Sequence, residues 1–112
     1  MPIANCIISS KCQSNLDQSK NLIEIWANES NISPEQMTVN MVVSNEQHGN
    51  KYNIMANLLL SSMWSYNDIS SLQVGLAKAL AQSFNVSLRS IHVTTSIINS
   101  GMVVEDGNVI EW

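Results

Sequence analysis

Charge is scarce in this sequence. Asp, Glu, Lys and Arg make up 12% of its 112 residues, whereas the apolar share of 45% is ordinary; a soluble domain usually carries roughly 25% charged residues. So few charges cannot cover a complete surface, and part of it is expected to be covered by other subunits in a closed symmetric oligomer. Cations are scarcer still. Lys11, Lys20, Lys51, Lys78 and Arg89 form no basic stripe, and against a net charge of −4 they leave no means of neutralising a phosphate backbone, so nucleic acid is not an expected partner. Long hydrophobic runs are missing as well: the apolar stretch Ile54 to Leu60 is interrupted by Asn57 and falls far short of the roughly 20 residues of a membrane span. No basic segment followed by an apolar core opens the chain, which therefore reads as cytoplasmic. Cysteine is limited to Cys6 and Cys12, with no second pair. That spacing makes neither a zinc site nor a redox CxxC, and both read as structural thiols.

What is present is a regular succession of apolar segments. Residues 3–9, rich in β-branched and apolar types, predict a strand. Leu16, Leu22, Ile23 and Trp26 then fall near one helical face, with Ser14 and Asp17 spaced as a capping box, so a helix is expected over roughly 16–30. Ser33-Pro34 stops it, and the loose alternation from Met37 to Val43 predicts a second strand. Residues 44–53 are polar and carry Gly49 and His48, the latter read as a solvated loop residue. The nearly continuous apolar run of 54–62 predicts a third strand buried on both faces. Ser65 or Asn67 can cap a second helix, in which Ile69, Leu72, Leu76, Ala79, Leu80 and Phe84 step by three and four. Ile91 to Ile97 gives a fourth strand, and Asp106-Gly107 between Val103-Val104-Glu105 and Asn108-Val109-Ile110 is a hairpin signal, because Asp-Gly supplies the positive φ values of a type I′ turn.

One pattern organises these segments. Ala4 to Ser10 returns as Ala56 to Ser62, and Asn31-Ile32-Ser33 returns as Asn85-Val86-Ser87, displaced two residues further. Matching periods of this kind mark a duplicated supersecondary unit. Each half reads strand, helix, strand, and crossovers of that length make the joined strands parallel and right-handed. The expected architecture is α/β (α+β): two tandem β-α-β units, about 2–50 and 54–101, in a four-stranded sheet with both helices on one face. A C-terminal hairpin over 102–112 completes one domain, 1–112.

Pro2-Ile3-Ala4 at the start, the two β-α-β halves, and Leu88-Arg89-Ser90-Ile91-His92-Val93 followed by Gly101-Met102-Val103 resemble the tautomerase superfamily. Its members include 4-oxalocrotonate tautomerase (4-OT), macrophage migration inhibitory factor and cis-3-chloroacrylic acid dehalogenase. The resemblance implies a homotrimer of doubled subunits, without a cofactor or metal, acting on a small carbonyl or enol compound through an N-terminal proline. An α-amine has an ordinary pKa of about 7.7–8.0, and burial lowers it, so a neutral proline amine can serve as base and acid near pH 7. Pro2 is thus either that catalytic amine or simply the proline that leads a strand. A retained Met1 would turn the amine into an amide.

By the same resemblance His92, paired with Pro2 in catalysis, stands where 4-OT has a carboxylate-binding arginine and would polarise the substrate; the alternative is a histidine satisfied within its strand. Thr94 shares its strand face by period two. Lys11 approximates an arginine at the end of the first strand, though a lysine cannot copy the bidentate fork of arginine. Met63 and Trp64 correspond to a pocket wall. Glu105 aligns with the dehalogenase's water-activating glutamate, or is a solvated acid beside a turn. Paired arginines are absent from Met63 to Asn67, which points away from dicarboxylate and haloacrylate substrates and toward a less charged keto or phenylpyruvate-like compound. The leading expectation is keto–enol isomerisation. The alternative is a non-catalytic trimeric binding protein, with hydrolytic dehalogenation through Glu105 as a minor option.

Overall fold

A computed structural model of the chain describes residues 1–13 and 21–112. Leu16 and the Ser14–Asp17 capping box lie outside the described residues. Four strands, β1 (Ile3–Ser9), β2 (Thr38–Ser44), β3 (Ile54–Ser61) and β4 (Ile91–Ile98), form one sheet in the order β2-β1-β3-β4. The pairs β1–β2 and β3–β4 are parallel and the central pair β1–β3 is antiparallel. Two helices, α1 (Leu22–Ser30) and α2 (Tyr66–Phe84), make the crossovers. Their apolar sides bury Trp26, Leu72, Leu76 and Phe84 against Ala4, Cys6, Ile8 and Leu58 of the strands. A hairpin of β5 (Val103–Glu105) and β6 (Asn108–Ile110) follows, turned by Asp106 and Gly107, both at positive φ. Among the described residues no helix is long and apolar enough to cross a membrane.

The repeat seen in the sequence is a two-fold in the structure. Asn5 pairs with its counterpart Asn57, and Ala4 and Cys6 pair with Leu58 and Ala56, so the antiparallel β1–β3 register is symmetric about the two asparagines. Both helices also end alike. Asn31 and Asn85 take the left-handed conformation at φ 58° and 54°, which asparagine tolerates better than branched residues. The next amides then close back, Ile32 to the Ala27 carbonyl at 3.2 Å and Val86 to the Ala81 carbonyl at 3.1 Å.

The helices touch closely because small residues face each other. Trp26 is fully buried and donates its indole N–H to the Leu72 carbonyl at 3.0 Å. Gly75 lets the Ser30 turn approach: a Cβ there would meet the Ser30 Cβ and backbone nitrogen at 3.0 Å. Ser30 is itself held by a 2.7 Å bond to the Trp26 carbonyl. Gly75→Ala should therefore be destabilising by about 1 kcal/mol net, since overpacking costs of about 1–3 kcal/mol exceed the helix-propensity gain of about 1. The shift of a urea midpoint measures it; a stabilised variant would mean that α1 can move aside freely.

One expectation needs correction. Strand β3 is not buried on both faces: Ile54, Ala56, Leu58 and Leu60 are buried under the helices, but Met55 is 38% exposed. It shares the other face of the sheet with Ile7 and Val42, which are 50% and 61% exposed. The apolar run thus reflects a face that the helices do not cover. No Asp, Glu, Lys or Arg occupies a strand position on that face. A polar row crosses it instead, Asn40 donating to Asn5 at 2.9 Å and Asn57 reaching Thr94 and Ser96 at 3.4 Å.

Candidate active site

The antiparallel centre of the sheet brings the start of β1 beside the end of β3, and the chain's N-terminus lies at that junction. Strand β2 fixes Pro2 from one side, the Thr38 N–H donating to the Pro2 carbonyl at 3.0 Å, and the Pro2 ring is fully buried. The Met1 amino group donates to Gln36 Oε1 at 3.3 Å. Burial holds this amine below its ordinary value, and the Glu105 carboxylate pulls it upward without reversing the shift.

Two cavities flank the N-terminal dipeptide. One, of about 420 Å³, is bounded by Met1, Gln36, Ser61, Met63, Glu105 and Trp112 among others. The other, of about 370 Å³, is bounded by Pro2, Gln36 and Trp64 with the turn after α1. Each presents a buried polar group with no partner, the Ser61 hydroxyl in the first and the Trp64 indole N–H in the second. Unpaired buried polar groups are rare in folded proteins. Trp112 closes the first cavity: its indole N–H donates to Ser62 Oγ at 3.0 Å and its backbone N–H to Ser100 Oγ at 2.8 Å.

Of the residues singled out in the sequence, Pro2, Met63, Trp64 and Glu105 converge at this end. Lys11, His92 and Thr94 of the same chain do not. His92 stands opposite Met55, four rungs from the Ile3–Leu59–Ser96 rung beside Pro2, roughly 13 Å away along the strand direction at about 3.3 Å per residue. Its ring packs on Tyr52, with centroids 5.2 Å apart and planes at 53°. Thr94 is exposed and accepts from Asn57. Lys11 lines a cavity at the other end of the sheet. Gln36, Ser61 and Trp112 are additions from the structure. Ser61 was deducible, because an antiparallel β1–β3 pair must place the last residue of β3 beside the first of β1; Trp112 depends on how the hairpin folds back and leaves no local signal.

No family model matches the sequence, and no curated protein matches it by sequence. Solved structures do match in three dimensions. A fused 4-OT that forms a symmetric trimer superposes with a TM-score of 0.73 at 12% identity, over 96% of this chain and 94% of that one. A member of the cis-3-chloroacrylic acid dehalogenase family gives 0.72 at 8% identity, over 96% and 82%. Macrophage migration inhibitory factor of Toxoplasma gondii gives 0.60 at 11% identity, over 97% and 98%.

The chain has the tautomerase fold. In the tautomerase fold as this sequence builds it, neither cysteine joins the Pro2 end. Cys6 sits in mid-strand, where burial pushes its thiol up to about 12 and keeps it protonated, and Cys12 is buried beside Ser9 Oγ at 3.5 Å. Among the described residues no three His, Cys, Asp or Glu side chains gather as metal ligands. The chemistry available at the Pro2 end is that of an amine, a carboxylate and two neutral donors.

Proposed function

We propose that this chain is a tautomerase-like isomerase in which Pro2, freed of Met1, moves a proton in a keto–enol interconversion. The observation that carries the reading is the N-terminus itself: a fully buried Pro2 ring between two cavities, preceded by a Met1 amine that burial already holds below its ordinary pKa. A neutral Pro2 amine takes a proton from the carbon next to a carbonyl, and the charge that develops passes to the carbonyl oxygen. On the side that Glu105 and Met63 bound, the unpartnered Ser61 hydroxyl would meet that oxygen; in a pose on the other side of Pro2 the Trp64 N–H would. The ammonium formed on Pro2 then returns the proton to another carbon or to oxygen, with Glu105 stabilising it in between. Neither step needs a cofactor.

The same proposal includes a homotrimer. The sheet face without fixed charges, with exposed Ile7, Val42 and Met55, suits burial against other copies, and fused 4-OT proteins of the same fold form trimers. Lys11, His92 and Thr94 would reach a Pro2 amine only across a boundary between copies. With Met1 in place the secondary amine is an amide, and the alternative is a trimeric binding protein that uses the same cavities.

Titrating the amine separates the two. In the chain that starts at Pro2, NMR should show the proline nitrogen titrating below about 7.7–8.0, and Glu105→Gln should move it lower still, because loss of the carboxylate removes the attraction that favours the charged form. An amine at or above the ordinary value would support the binding protein.

A further inference from the structure

The internal two-fold copies the walls of the Pro2 site to the opposite end of the sheet, where a second and larger cavity of about 550 Å³ lies. Met1, Gln36, Ser61 and Met63 bound the first site. Their counterparts in the repeat are Asn53, Ser90, Ser9 and Lys11, and all four bound the second. Even the contact across the mouth is repeated, since Asn53 Nδ2 donates to Ser90 Oγ at 3.1 Å as the Met1 amine donates to Gln36. The chemistry differs in one decisive way: Ile54 takes the place of Pro2 in mid-chain, so no amine can exist there. A polar loop takes the place of the apolar hairpin.

We infer that this second cavity is a binding site, without proton-transfer chemistry, for a small oxyanion, a carboxylate or a phosphate. Two of the chain's five cations, Lys11 and Lys51, line it in a protein of net charge −4. Among the described residues the single carboxylate on its rim is Glu46, 3.7 Å from His48. Ser9, Ser44 and Ser90 line it with hydroxyls that already donate to Cys12 Sγ, the Glu46 carbonyl and the Ser87 carbonyl, and Asn53 Nδ2 gives one hydrogen to Ser90 Oγ and keeps the second, so the charge of Lys11 and Lys51 carries the recognition. The loop that forms its outer wall is already ordered for this. Gln47 clamps Tyr52 by both backbone groups, donating to its carbonyl at 2.9 Å and accepting its N–H at 2.8 Å, and the Tyr52 ring rests on His92. A wall set before the ligand arrives reduces the ordering cost of binding. The inference is independent of whether Pro2 is catalytic.

The test is an amide NMR titration of the full chain with malonate, inorganic phosphate and the neutral diamide malonamide, at constant ionic strength. Saturable shifts at Ser9 to Lys11 and Gln47 to Asn53 with malonate, phosphate or both, and none with malonamide, are expected; which anion saturates assigns the class. Lys11→Met with Lys51→Met should weaken binding about tenfold, as loss of two partly solvated ion pairs implies. The corresponding Lys→Arg pair should retain it, which separates lost charge from lost folding. Absence of saturable shifts, equal shifts with malonamide, or unchanged affinity in the double Met variant would overturn the assignment.

Discussion

The chain that begins at Pro2 should convert phenylenolpyruvate to its keto form about 10²–10⁴-fold faster than the chain that keeps Met1, the range that a positioned general base supplies. The two differ by one residue, far from any packing that Met1 could disturb: Met1 is only half-buried, and its recorded polar contact is the 3.3 Å bond to Gln36. Folding should therefore be unchanged, and the difference should lie in the rate. With Met1 present the nitrogen of Pro2 is an amide whose lone pair is delocalised into the carbonyl, so it cannot accept a proton. Without Met1 it is a secondary amine on a ring that is fully buried while Met1 is attached, one residue further into the sheet than the Met1 amine whose value burial already lowers. Pro2→Ala in the shorter chain keeps an amine but loses the ring that holds it, and its rate should fall between the two. Equal rates with and without Met1 would remove Pro2 from the mechanism.

Much of this arrangement was legible in the sequence, for identifiable reasons. Helix α2 and the strands announce themselves because their apolar residues keep one period along a single element, and Asp106-Gly107 marks its turn by backbone preference alone. The repeat went further, since the two halves it marked prove to end their helices alike, at Asn31 and Asn85. Position within the site was less legible. Ser61 follows from the pairing of β1 with β3, but Gln36 and Trp112 belong to separate segments that join it only at the end of the sheet, and no local pattern records that meeting. The reading of β3 as buried on both faces followed from composition. Its apolar residues do alternate with Asn57 and half-exposed Leu59, but an apolar side chain on an uncovered face looks the same in sequence as one in a core.

The same helices that position the site offer the largest effect on stability. Trp26→Ala should cost about 3–5 kcal/mol, the usual range for removing a large buried aromatic, against a total of about 5–15 kcal/mol for a typical domain. Three consequences coincide there. The indole is fully buried at the contact of α1 with α2, so its removal opens a cavity. Its N–H no longer reaches the Leu72 carbonyl at 3.0 Å. The Gly75–Ser30 approach prevents easy collapse, because the backbones already touch. Trp26→Phe keeps most of the apolar volume and loses chiefly the hydrogen bond, so it should cost about 1–2 kcal/mol. Urea unfolding followed by circular dichroism, at one fixed protein concentration because apparent stability depends on concentration wherever subunits associate, reads both. If Ala and Phe cost the same, the hydrogen bond rather than the packing holds the helices together; if Trp26→Ala costs less than about 1 kcal/mol, the helix layer repacks around the void and the close approach at Gly75 is not the constraint described above.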